Sequence, residues 1–139
     1  MIKSVAIGEE IVVTTRNKVG ILADTAVIMA NDGVNIEALL GYETGLTAKL
    51  LFITNGNLRI LNELKKKKYK TIKETEVVVV ELSNKPGALK VVATELKNNK
   101  IDVRHVYVTS SSRGEDSSRM ILQTSDNEKV ISLLSKFVA

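Results

Sequence analysis

The stretch "SNKPGALKVVATEL", Ser83 to Leu96, holds the single proline of the chain, and "RNKVGILADTAVIM", Arg16 to Met29, repeats its beginning. Both read Asn-Lys-x-Gly-x-Leu, and both follow a run of β-branched residues, "EIVVTT" and "EVVVVEL". A β-branched run, a Gly corner and a helical pattern make a strand-to-helix turn, and here that turn is written twice. Subtracting 17 from 84 gives an offset of 67, at which Val12, Val13, Asn17, Lys18, Gly20, Leu22, Ala26 and Asn31 fall on Val79, Val80, Asn84, Lys85, Gly87, Leu89, Ala93 and Asn98. Later in each repeat the register moves by three, so that "KLLFITNGNLRIL" aligns with "RMILQTSDNEKVI". The extra residues fall in "SSSRGEDSS", Ser110 to Ser118, which implies a surface hairpin loop, mobile at its tip.

The elements of each copy follow from period and punctuation. After the Gly, Leu89, Val92, Ala93 and Leu96 recur at helical spacing, as do Leu22, Ala26 and Met29. "NDGVNIEALL" and "NNKIDVRHVYV" then close the helix and begin alternating strands. A hairpin and a third strand follow, "TAKLLFIT" and "RMILQT". Second helices come next, with Leu58, Leu61 and Leu64, or Val130, Leu134 and Phe137, as the apolar stripe, opened by Asn or Asp capping residues. "YKTIKET" supplies a fourth strand in the first copy, giving βαββαβ. The expected architecture is α+β: two ferredoxin-like βαββαβ units, 1–74 and 75–139, with antiparallel sheets and helices on one face.

The second copy stops after its second helix, while an apolar segment, residues 2–7, precedes strand one of the first. This segment crosses to lend the second unit its missing strand, or it simply pairs locally in the first unit or is frayed. Crossing is the preferred reading, because it also covers an exposed sheet edge.

Composition closes off much chemistry. With no Cys and one His, disulfides, thiolate nucleophiles and the common zinc frameworks are excluded, so no metal and no cofactor is expected. Aromatics are only 4% of the chain, so the core must be aliphatic. No apolar run reaches membrane-span length and the N-terminus has no secretory pattern, which points to a cytoplasmic protein without a membrane partner. No Ser-His-Asp order and no spaced pair of acids is present; the chain reads as a non-enzyme, with no catalytic residues. The net charge of +4 draws much of its excess from "KKKKYK", Lys65 to Lys70, read as a helix C-terminus whose lysines complement the helix dipole. Nucleic acid is a minor alternative, because only Phe52 and Tyr107 stand on strands as stacking platforms. His105, the sole His, reads as a surface or core-edge residue.

Pro86 suits the first helical position, and Gly20 and Gly87 allow a sharp turn and a close approach. A helix N-terminus with unpaired amides beside Asn17 or Asn84 attracts a carboxylate, although a well-made βα turn needs no ligand.

Strand–"NKPGAL"–helix–"NKIDV", with its copy strand–"NKVGIL"–helix–"DGVNI", resembles the ACT domain, a small βαββαβ module that senses amino acids, and the likeness covers nearly the whole chain as two copies. The resemblance implies side-by-side association and an amino acid bound at the interface, near the loop between strand one and helix one. In the serine-sensing type, an Asn in that loop and an Asn in the "GVNI" segment hold the ligand; these positions fall on Asn17 and Asn35, and in the second copy on Asn84 and Asp102. The loops themselves, Val19, Gly20, Ile21 and Leu22 and then Pro86, Gly87, Ala88 and Leu89, complete the implied site. Val19 replaces the favoured proline, Asp102 replaces the second Asn, and Thr15 and Leu82 stand where that type has a His. The first copy is thus the better match.

Continuous Val in "VVVV" implies cover on both faces of its strand, which predicts a homodimer. The expected function is a stand-alone sensor of a small amino acid that signals to a partner enzyme or transcription regulator. The competing reading is a basic ferredoxin-like adaptor that binds RNA or protein without an effector; an enzyme with an unrecognised site is a third.

Overall fold

The computed structural model describes residues 1–67, 69, 71–110 and 116–138. The elements run β1 (Ile2–Arg16), α1 (Ile21–Asn31), β2 (Ile36–Thr44), β3 (Thr47–Thr54), α2 (Asn57–Lys65), β4 (Thr71–Leu82), α3 (Ala88–Asn98), β5 (Val103–Ser110), β6 (Ser118–Thr124) and α4 (Asn127–Ser135). The fold is α+β, a βαββαβ pattern that repeats. The tip of the Ser110–Ser118 hairpin, at 111–115, lies outside the described residues, as do Lys68 and Lys70 of the lysine run.

The chain divides into two compact units, one made of Met1–Gly8 with Glu76–Ala139 and the other of Glu9–Thr75. Within Glu9–Thr75 the strand order is β2-β3-β1-β4, and within the other unit it is β1-β4-β6-β5. Residues 2–8 of β1 and 76–82 of β4 thus belong to one unit, and 9–16 and 71–75 to the other.

In Glu9–Thr75, Ile11, Val12 and Val13 pair antiparallel with Phe52, Leu51 and Leu50, and β2 lies outside β3. Ile11, Val13, Leu50 and Phe52 share one face, and α1 and α2 cover it with Ile21, Met29, Ile60 and Leu64. In the other unit Val78, Val80, Leu82, Met120 and Leu122 meet Ala88, Val92, Leu96, Val130 and Leu134, and Ile2 is buried among them. Met1 is fixed there as well, its carbonyl accepting from Ser83 N at 2.8 Å.

The repeat extends to single hydrogen bonds. Asn57 Oδ1 accepts from Thr54 N and Oγ1 while its Nδ2 donates to Glu9 O; Asn127 does the same with Thr124 and Glu76 O. Each of these side chains ties the end of a third strand to the first strand. A bulge follows the opening residue of both second strands, between Ile36 and Ala38 and between Val103 and His105. Both first helices end alike: Gly33 N and Val34 N reach back to Ala30 O and Met29 O, and Lys100 N and Ile101 N to Lys97 O and Leu96 O.

Several expected faces shift. α1 buries Ile21, Thr25 and Met29 and α3 buries Ala88, Val92 and Leu96, while Leu22 and Leu89 are about half exposed and Ala26 and Ala93 are exposed. The packed row begins one residue earlier than the periodicity suggests, because both helices carry two adjacent apolar rows. In α2 the buried pair is Ile60 and Leu64, with Leu58 in solvent, and Phe137 lies beyond the end of α4 and is partly exposed. Gly56, not an Asn, precedes α2, whereas Asp126 caps α4 by accepting from Lys129 N. Pro86 stands two residues before α3, in a turn closed by Ala88 N and Lys85 O, and Gly87 takes the cap. Finally, Val77, Val78 and Val80 are fully buried, while Val79, on the same face as Val77, is only partly so. The face opposite the helices is thus covered in part within one chain.

Candidate functional site

The first corner begins where β1 ends at Arg16. Asn17 N donates to Leu46 O at 2.9 Å, and its side-chain amide donates to Gly45 O at 3.0 Å and to the Glu43 carboxylate. Two bonds from one amide anchor the loop to the β2–β3 hairpin. Gly20 then turns the chain at φ 95°, in the left-handed region, where a side chain is strained. No side chain caps α1, and its hydrogen-bond ladder starts with Asp24 N to Gly20 O. The preceding amides of the first turn lie outside that ladder, and the positive end of the helix dipole points the same way.

These groups border a groove of about 440 Å³ between the corner and β2, walled by Asn17, Gly20 and Leu22 on one side and by Leu39, Gly41 and Glu43 on the other. Ile21 forms its floor and is buried, while Val19 projects fully into solvent. Asn35 does not line this groove. It precedes β2, with its backbone N–H held by Asn55 Oδ1 at 2.9 Å, whereas Asn17 meets Glu43 near the far end of that strand. Seven residues at 3.3 Å each separate Ile36 from Glu43, about 23 Å. One copy of the unit cannot close Asn17 and Asn35 on the same small ligand.

The second corner has the same skeleton and different occupants. Gly87 has φ 93°, and again no side chain caps the helix. Here, however, Asn84 N donates to Asp116 Oδ1 at 3.1 Å, Lys85 Nζ lies 3.7 Å from Asp116 Oδ2, and Lys3 Nζ donates to Asp116 O. A carboxylate of the chain itself thus sits on this loop. Met1 Cε lies 3.6 Å from the point where a Cβ on Gly87 would stand. Asp102 occupies the other end, before β5, its N–H held by Ser125 Oγ at 3.1 Å. Beside this corner, Leu89 and Ala93 of α3 face Val106 and Val108 of β5 across an apolar groove of about 530 Å³. Pro86 is exposed and Ala88 is buried in the core.

Glu43 and Asp116 escape a reading of the sequence because each reaches its corner through tertiary structure. Glu43 is legible only once the Gly45 turn fixes the hairpin register, which pairs Glu43 with Ala48 and sets Thr47 against Arg16. Asp116 follows the residues that have no counterpart in the first copy. Elsewhere, His105 stacks on Tyr107 with ring centroids 6.2 Å apart, and Phe52 is wholly buried, so it presents no face to a base. Glu9 titrates above its ordinary range, chiefly through its hydrogen bond to Glu74 and then through the charge of Glu74, and it lines none of these grooves. Among the described residues no three His, Cys, Asp or Glu gather as metal ligands, and no helix is long and apolar enough to cross a membrane.

No family model matches the chain, and none of the curated proteins matches it. Solved structures do. A protein from Bacteroides thetaiotaomicron superposes with a TM-score of 0.86 at 21% identity, over 96% of this chain and 90% of that one. The regulatory subunit of aspartate kinase from Thermus thermophilus, in its ligand-free form, gives 0.67 at 12% identity over 97% of both chains. A structure of the aspartokinase alpha and beta subunits gives 0.66 at 15%, over 98% and 97%. Together with the doubled βαββαβ order, this likeness establishes an ACT-like fold for the chain.

Proposed function

We propose that this chain is a regulatory module, without catalysis of its own, that binds a small amino acid at an ACT–ACT interface and passes the signal to a partner enzyme or regulator. The first corner carries the reading: uncapped first-turn amides of α1 open beside a groove in which the Asn17 amide positions the Glu43 carboxylate. The amides receive the ligand carboxylate, and Glu43 receives its ammonium. Fold-level likeness to the regulatory subunit of aspartate kinase supports a regulatory role. Because Asn17 and Asn35 stand at opposite ends of β2, a ligand that uses both takes them from two copies paired antiparallel along that edge strand, which is the reason to expect a homodimer. The second corner, already holding Asp116, serves less well as a ligand site.

A difference in affinity between two arrangements of paired units is what turns binding into a signal. The test is a thermal-shift screen with the twenty amino acids. An effector at about one hundred times its Kd stabilises the chain by about 2.7 kcal/mol. Asn17→Ala and Glu43→Gln each reduce that shift, with Asn84→Ala leaving it in place. Twenty flat responses would defeat the reading, and salt-dependent RNA binding in their place would favour the adaptor.

A further inference from the structure

On the other flank of α1, a cleft of about 380 Å³ opens between this helix and Lys67 and Tyr69. Its polar lining comes from Thr15 at the end of β1, Lys18, Asp24 and Asn31 along α1 and its approach, and Lys67 and Tyr69 across from them. The side chains of Lys18, Asp24 and Lys67 form no ion pair, and those of Thr15 and Asn31 no hydrogen bond, among the described residues. Thr15, only 5% exposed, borders the cleft as well. Tyr69 is held in position by its hydroxyl, 3.3 Å from Thr25 Oγ1.

An acid in the first turn is favoured by the helix dipole wherever it points, so Asp24 alone says little. Its company says more: two ammonium groups, one carboxylate, a largely buried threonine and an apolar wall from Ile21, Val27 and Ile28 around one small space. The charges of both signs disfavour a polyanion, which Asp24 repels, and an apolar ligand, which offers them no partner. They suit a small zwitterion.

We propose that this cleft is a second ligand site, for an α-amino acid whose carboxylate lies between Lys18 and Lys67 and whose ammonium lies on Asp24, with the side chain against Val27 and Ile28. The inference rests on the amino-acid-sensing reading and assigns it a site distinct from the Glu43 groove, with Lys18 and Ile21 bordering both.

The experiment is a titration of the full-length, ¹⁵N-labelled chain with each of the twenty L-amino acids, followed by NMR. The expected result is saturable shifts at the amides of Thr15, Asp24, Asn31 and Tyr69. Asp24→Asn and Lys67→Ala, both changes of exposed side chains, each weaken that event about tenfold or more, and Asn17→Ala leaves it unchanged. The N-acetylated form of the same amino acid, which lacks the ammonium, does not shift these amides. Binding that is indifferent to Asp24→Asn and Lys67→Ala but lost in Asn17→Ala overturns the second site and leaves the sensing reading intact. If no amino acid shifts any amide, both fall together.

Discussion

At the scale of single residues, the two copies show what a repeated motif fixes and what it leaves free. Gly20 and Gly87 adopt nearly the same left-handed φ, 95° and 93°, and both are legible in the sequence because Asn-Lys-x-Gly recurs beside a strand. The helix C-termini are less symmetric. Gly33 takes the left-handed position after α1, whereas Lys100, at φ 55°, takes it after α3 and is the only described non-glycine residue with positive φ. A β-carbon in that region costs about 1–2 kcal/mol, and the Schellman bonds around Lys100 hold it there despite the strain. Lys100→Gly is therefore expected to raise stability by about 1 kcal/mol, seen as a higher urea midpoint with an unchanged m-value. A lower midpoint would mean that the Lys100 side chain contributes more at the negative end of α3 than its backbone costs. Glu43 and Asp116 mark the limit of reading at this scale: no spacing along the chain announces a contact made by a hairpin register or by a loop.

At the scale of elements, the order of strands and helices was legible, but two joins and the rotation of the helices were not: residues 2–7 run on into "EIVVTT" as β1, and 71–75 into "EVVVVEL" as β4. α1 starts Ile21-Leu22 and α3 starts Ala88-Leu89, so two apolar rows, about 100° apart, compete for the sheet. Periodicity admits either row; packing chooses Ile21, Thr25 and Met29, and Ala88, Val92 and Leu96. The losing row has its own place, since Leu22 borders the groove beside β2 and Leu89 and Ala93 border the one beside β5. Such a helix is amphipathic in two directions, which is why the sequence cannot phase it. The energetic consequence is unequal. Val92→Ala removes about two buried methylene equivalents and leaves a cavity, for a loss of about 2 kcal/mol, whereas Leu89→Ala trims a side chain already half in solvent and costs under about 1 kcal/mol. Chemical denaturation of the two variants in parallel measures the contrast. Equal losses would show that the row at Leu89 is covered in solution by something absent from the single chain.

At the scale of the whole molecule, the doubled α+β architecture follows from an offset that any alignment of the chain with itself reveals, yet the grouping of segments does not follow from it. Whether an apolar segment ahead of strand one pairs with its neighbours or with residues far along the chain is decided by which sheet edge needs it, and period and punctuation carry no such information. In the structure, Met1–Gly8 belongs to the unit with Glu76–Ala139, and Ile2, 1% exposed, packs in the core of Val78, Val80, Leu122 and Val130. Residues 9–75 therefore lie between this strand and the rest of its unit, a non-local closure that delays the unit's completion until the chain has returned. Ile2→Ala is expected to cost about 2–4 kcal/mol, and the loss should be confined to one unit. Native-state hydrogen exchange separates the cases: the amides of Val78, Val80 and Leu122 exchange faster in the variant, while those of Val13, Leu50 and Phe52 keep the protection they have in the parent chain. Equal acceleration at both sets would show that the two units unfold as one cooperative body, in which case a ligand bound to either would stabilise both.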